Sequence, residues 1–113
     1  MPYRVLDALD IESPNGVFRG LSDPLGVGAF RINRLELAPG AEGPEHDHLK
    51  DGQEEVYVVL DGSATLSAGA ESWTLSRGMM ARVGPAQKRK LTPGPNGVTI
   101  LALGGTPGKA YSS

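Results

Sequence analysis

Two histidines one residue apart, His46 and His48, stand in the stretch PEHDHLKDGQEEVYVVLDG (44–62), ahead of Gln53, Glu54 and Glu55 at the head of an apolar run. Imidazole with carboxylate is a donor set for Zn, Fe, Ni, Mn or Co. The chain has no cysteine, so any metal must be held by His, Asp, Glu or water, and disulfides and thiolate nucleophiles are excluded. On extended backbone, side chains alternate between faces. His46 and His48 therefore point the same way, about 7 Å apart at a rise of ~3.4 Å per residue, and can share one ion. On the following strand the same alternation sets Gln53, Glu55, Tyr57 and Val59 on one face and Glu54, Val56, Val58 and Leu60 on the other. Either Gln53 or Glu55 can face the histidines, and Glu54 faces away. The plainer reading of such a pair is an exposed loop made soluble by Glu45, Asp47 and Asp51.

The elements that must position these groups are short strands. Sixteen glycines and nine prolines punctuate apolar segments at fairly even intervals, which is a β pattern. Strands are expected at 17–19, 27–38, 55–60, 63–67, 72–75, 79–83, 87–91 and 98–103. They are separated by turn formers such as Ser22-Asp23-Pro24, Asp61-Gly62 and the run from Pro93 to Gly97. No stretch reads as an amphipathic helix of ten residues, and residues 4–11 suit one helical turn or an edge strand. Many strands in one small unit leave a sandwich, a jelly roll or a closed barrel.

Composition bounds the setting. A chain of 113 residues suits one domain. Its 39% hydrophobic and 21% charged content suits a globular protein, and its net charge of −2 offers polyanions no general attraction. Lys88, Arg89 and Lys90 are split between strand faces and aromatic residues are few, so nucleic acid is not expected as a partner. No apolar run approaches the ~20 residues of a membrane span and no leader is visible, so no membrane is expected and a cytoplasmic location is. No G-x-S-x-G elbow points to a serine hydrolase.

The spacing resembles the cupin family. Its first motif reads Gly, five residues, H-x-H, three or four residues, Glu, six residues, Gly. Here Gly40 precedes His46 and His48 at that distance, and Glu55 precedes Gly62 at that distance. The interval from His48 to Glu55 is longer than in the family, and Gln53 sits at the family's forward count. The backward count from Gly62 runs within one strand, whereas the forward count crosses a loop, where insertions are tolerated. Glu55 is therefore placed at the ligand position with Gln53 in reserve. The second motif is matched in GMMARVGPAQKRKL, where Gly78 aligns, Gly84-Pro85-Ala86 overlies the family's Pro-x-Gly turn, and Arg89 falls where the family has a fourth metal ligand, a histidine.

The resemblance implies an all-β double-stranded β-helix, or jelly-roll barrel, of the RmlC-like kind. It would form a single domain over 1–113, with the barrel at about 27–103, an N-terminal arm at 1–26 and a C-terminal tail at 104–113. It also implies a divalent transition metal (Fe, Zn, Ni or Mn) on His46, His48 and Glu55, and a homodimer covering open sheet edges. The function expected is oxygenase, isomerase or lyase chemistry on a small, anionic, carboxylate-bearing molecule.

Arg89 divides the readings, because an inward-facing arginine needs an anionic partner. Either it grips a substrate carboxylate, with Gln87 and Tyr57 as neighbours in the site, or it pairs with Glu55 in a metal-free barrel serving as a binding or structural module. The acidic stretch 42–55 and the basic stretch 77–90 could also complement each other across neighbouring strands. Phe30, Ile32, Val59, Trp73 and Met80 are expected in the core or a subunit interface.

Overall fold

The computed structural model of the chain describes residues 2–109. Met1 of the expected arm and residues 110–113 of the expected tail lie outside them. Six strands form one antiparallel sheet: β1 (Phe18–Gly20), β2 (Arg31–Leu37), β3 (Glu54–Ala68), β4 (Glu71–Ser76), β5 (Met80–Val83) and β6 (Arg89–Gly105). Its order is β1-β2-β6-β3-β4, with β5 also on β3. The all-β expectation holds. Helix among the described residues is limited to a 3-10 turn, Ala8–Asp10, and the single turn α1, Ser22–Leu25, which Gly26 ends in the left-handed conformation at φ 76°.

Two of the expected turns are bends inside long strands. The segments expected at 55–60 and 63–67 are one strand, β3, and those expected at 87–91 and 98–103 are one strand, β6. The ladder between them runs from Glu54↔Gly105 to Ala68↔Arg89, with irregularities between Val59 and Asp61 and between Gly62 and Ala64. Extra residues in one strand, one in β3 at the first irregularity and several in β6 at the second, bend it without ending the pairing. Gly62 (φ 73°) and Gly97 (φ 77°) lie at these bends, and a Cβ on Gly62 would collide with the Gly97 carbonyl. Turn-forming residues are used here to fold a sheet over itself.

The bends give the sheet two walls. One holds β1, β2, β5 and the 54–59 and 98–105 halves of β3 and β6. The other holds β4, the remaining halves of β3 and β6, and segment 43–46, which runs beside β6 through the Gly43 N–H to Leu91 carbonyl bond (2.9 Å) and an antiparallel bridge between His46 and Arg89. Between the walls lie Tyr57, Val59, Ala64, Leu66, Leu75, Leu91 and Ile100, all buried. Fully burying each larger aliphatic stabilises by roughly 1.5–3 kcal/mol. Val59 is in this core, whereas Phe30, Trp73 and Met80 are exposed and are not. No helix among the described residues is long and apolar enough to cross a membrane.

Candidate metal and anion site

Burial along β3 alternates as the sequence requires: Gln53, Glu55, Tyr57 and Val59 are buried, while Glu54, Val56, Val58 and Leu60 are not. Glu54 faces outward, where its Oε1 pairs with Arg82 at 2.9 Å. Glu55 faces the interior and is the hub of the site.

His46 and His48 arrive from the opposite wall. The bridge to Arg89 fixes His46, and the His48 N–H to Pro85 carbonyl bond (2.8 Å) fixes His48. Their rings meet edge to face with centroids 5.3 Å apart. His46 Nδ1 lies 3.1 Å from the Pro44 carbonyl, and His48 Nδ1 lies 3.1 Å from Asp51 Oδ2. A carbonyl and an ionised carboxylate can only accept, so each Nδ1 carries the proton. His48 Nε2 lies 3.5 Å from Arg31 Nη2, and both histidines turn their Nε2 atoms inward. Those two atoms lie 3.6 and 3.5 Å from Glu55 Oε1. One donor atom from each of His46, His48 and Glu55 falls within 4.8 Å of the others. The donor set therefore fits a divalent transition metal, with outer partners that orient the imidazoles as ligating histidines require.

Asp51 also accepts from the Gln53 N–H at 3.0 Å. Partial burial works against its charge, but the Gln53 bond and His48 prevail and hold its pKa below the usual carboxylate value.

The carboxylate of Glu55 carries more than the histidines. Arg31 Nη2 donates to Oε2 at 2.6 Å, Arg89 Nη2 donates to Oε1 at 3.4 Å, and the Tyr57 hydroxyl donates to Oε1. Burial first, then the charge of Glu55 and this hydrogen bond, push the Tyr57 phenol well above its ordinary pKa. Tyr57 is therefore a proton donor to Glu55 at neutral pH, with no part as a base.

Arg89 has no exposed side-chain surface. Its Nε donates to the Tyr57 oxygen at 3.3 Å and its Nη1 to the carbonyls of Gly84 (3.3 Å) and Gln87 (2.5 Å). The guanidinium is thus occupied by internal acceptors, and the Glu55 pair expected for it is present.

Gln87 does not join the group. It sits in the turn before β6 begins, exposed, with its amide on the Lys88 carbonyl at 2.9 Å and its side chain toward the Trp73 and Met79 side of the barrel. Strand alternation does not extend back through that turn. Gln53 is buried near Gly104, where a Cβ at position 104 would lie 2.7 Å from its Oε1. The complementary charge stretches do pair, through Glu42 with Lys90 (2.9 Å), Glu54 with Arg82 and Glu55 with Arg89.

Three residues of the site do not stand out in the sequence: Arg31, Asn33 and Asp51. Arg31 and Asn33 share strand parity with Leu35 and Leu37, so two polar side chains on the apolar face of a strand are the signal that points to them. Both line a cavity of about 360 Å³ between the walls, together with His46, Glu55 and Tyr57 at the polar end.

No family model matches the chain, and no curated protein matches it. Solved structures do. A cupin protein from Bacteroides fragilis is similar over 100% of this chain and 92% of its own, with a TM-score of 0.80 and 21% sequence identity. The chain has the cupin fold. A predicted oxalate decarboxylase from Thermotoga maritima matches 89% of this chain and 97% of its own at a TM-score of 0.74 and 18% identity. A Cupin 2 conserved barrel domain protein from Salinispora arenicola matches 95% and 90% at 0.72 and 20%. In this cupin barrel the His-His-Glu group lies between the two walls, beside the apolar cavity.

Proposed function

We propose that the chain is a metal-dependent cupin acting on a small carboxylate-bearing molecule. The observation that carries this reading is the convergence of the two Nε2 atoms on Glu55 Oε1, with both Nδ1 atoms turned to acceptors. A divalent ion on His46, His48 and Glu55 would supply Lewis-acid polarisation of a ligand oxygen and open positions for it. The chain's own part is to supply charge and shape. Two guanidiniums share one carboxylate at Glu55, with the Asp51 carboxylate behind His48, so the ion on His46, His48 and Glu55 would supply the net positive charge that favours an anionic ligand, and Arg31 would give that ligand a partner. Apolar side chains around the cavity thin out water and strengthen that attraction. The Thermotoga maritima neighbour, named for oxalate, supports small acids as a substrate class, with oxygenase, isomerase or lyase chemistry within the reading.

A second reading has its own observation. Arg31, Arg89 and Tyr57 already satisfy Glu55 without a metal, which suits a metal-free barrel that binds a small molecule. Elemental analysis of untagged protein, as purified and after incubation with Zn, Ni, Fe or Mn, separates the two. Near-stoichiometric metal that disappears when His46 and His48 are both changed to Ala supports the metal centre. Protein that stays metal-free throughout, or metal retained by the double variant, removes it.

For assembly, a homodimer is proposed through the open groove between β4 and β5, which the exposed Trp73, Met79 and Met80 line.

A further inference from the structure

The rows of side chains across the first wall grade from polar to apolar. Arg31, Gly104 and Glu55 lie opposite one another, then Asn33, Ala102 and Tyr57, then Leu35, Ile100 and Val59. The two small residues of the middle strand fall in the two polar rows. They leave open space there, and Arg31 crosses it to reach Glu55. Beyond, Leu35 and Leu37 face Leu91 of the other wall across the same cavity.

Two polar side chains line the charged end of the cavity. Arg31 lines the cavity and keeps about a quarter of its side chain exposed (23%), unlike the sealed Arg89, and its buried Nε has no hydrogen-bond partner among the described residues. Asn33 is 4% exposed and lines the cavity, and its side-chain amide donates no hydrogen bond to the described residues. An amide facing the cavity can hydrogen-bond a polar ligand atom placed beside it. The cavity volume is at the lower end of small-molecule sites, which run from about 300 to 1,000 Å³. Its other walls carry no charge and little that could bond the hydroxyls of a sugar.

Resting on the anionic-ligand reading above, we propose that this cavity takes a small carboxylate with an apolar body. The carboxylate lies at the Arg31 and Asn33 end, and the hydrocarbon lies against Leu35, Leu37 and Leu91. Arg31 is the residue that selects the acid, and Arg89 holds Glu55 in place.

The test compares three probes of similar length on wild-type protein, both chelator-treated and zinc-loaded, by NMR titration of the ¹⁵N-labelled full chain. Hexanoate has the charge and the apolar body, gluconate has the charge with a hydroxylated body, and 1-hexanol has the body alone. Hexanoate should bind at least tenfold more tightly than either of the others. Arg31→Met, which keeps the apolar stem, should cut hexanoate affinity at least tenfold and leave 1-hexanol within twofold. Arg31→Lys should fall between. Should the Met variant fail to fold, the wild-type series and the Lys variant decide. Gluconate binding as tightly as hexanoate would overturn the apolar body while leaving the anionic reading intact. Equal binding of 1-hexanol and hexanoate, or no binding of any probe, would overturn both. Metal content, measured on the same samples, reports separately on the metal centre.

Discussion

Arg31 and Glu55 sit on different strands opposite the same residue, Gly104, and meet across it at 2.6 Å. The ion pair exists because the strand between them has no side chain at that point. A Cβ on residue 104 would lie 2.7 Å from Gln53 Oε1 and 3.0 Å from Arg31 Nη2.

Gly104→Ala should therefore displace Gln53 and Arg31 and cost about 1–3 kcal/mol through overpacking. Gly105→Ala is the control, since a Cβ there meets only Phe30 Cβ at 3.9 Å. It should change stability by no more than about 0.5 kcal/mol. Urea denaturation midpoints of the two variants check this, and equal losses would mean that the space over Gly104 does not position the pair.

The neighbouring glutamates should behave as opposites. Glu55→Gln removes the only carboxylate among the described residues that contacts the Arg31 and Arg89 guanidiniums, and breaking such a buried pair costs about 3–5 kcal/mol. Glu54→Gln breaks an exposed pair with Arg82 and should cost about 0–1 kcal/mol. The same variants should separate in metal affinity, with Glu55→Gln weakened and Glu54→Gln unchanged. A reversed order in denaturation would place the wrong residue inside.

Strand alternation made the Glu55 face legible, because a period of two needs only local backbone and β3 is regular from Glu54 to Val59. It failed at Gln87 because the residue precedes the strand, and local parity holds only where the backbone is extended. The bends at Gly62 and Gly97 were not legible as bends. Asp-Gly and Pro-Gly sequences serve a hairpin and a bulge alike, and only the packing of one bend into the other distinguishes them. Arg31 escaped notice for a related reason: its partner lies two strands away, and cross-strand register is a property of the whole sheet.

Stability should fall on the alkaline side through Tyr57. Its folded-state pKa is raised, so between its unfolded value of about 10 and the folded one, the native state holds a proton that the unfolded state has lost. The stabilisation is whole below about pH 10 and declines above it. Tyr57→Phe, although less stable at neutral pH for want of the Glu55 bond, should show a flatter loss between about pH 9.5 and 11. Asp51 works in the other direction: its depressed pKa gives stability that is lost as pH falls through the folded value, and Asp51→Asn should flatten the acid limb. Denaturation midpoints across pH measure both.

Assembly is tested through the single tryptophan, Trp73, which is 47% exposed in one chain beside Met80 at 67%. If β4 and β5 meet a second copy, Trp73 emission should shift to the blue with rising concentration while sedimentation gives twice the chain mass. Met80→Asp should abolish both changes. A dimer that keeps a fully solvated tryptophan would place the interface elsewhere.

Metal affinity should respond most to Arg89. Its Nη2 lies 3.4 Å from the Glu55 oxygen toward which both histidines point, so it competes for the ligand and repels a cation arriving there. Arg89→His removes that charge and offers a neutral imidazole, whose nitrogen binds zinc at about 2.0–2.1 Å. Affinity should rise at least tenfold, for which about 1.4 kcal/mol suffices. The change also releases the Gly84 and Gln87 carbonyls from the guanidinium, so it should lower stability without metal and recover it with metal. Asp51→Asn acts oppositely. It keeps an acceptor for His48 but loses the charge that orients the ring, and affinity should fall by about 10- to 100-fold. Competition against a chelator measures each constant. If Arg89→His left zinc affinity unchanged while Asp51→Asn lowered it, the histidines would bind metal without Glu55, and the carboxylate would belong to the arginines alone.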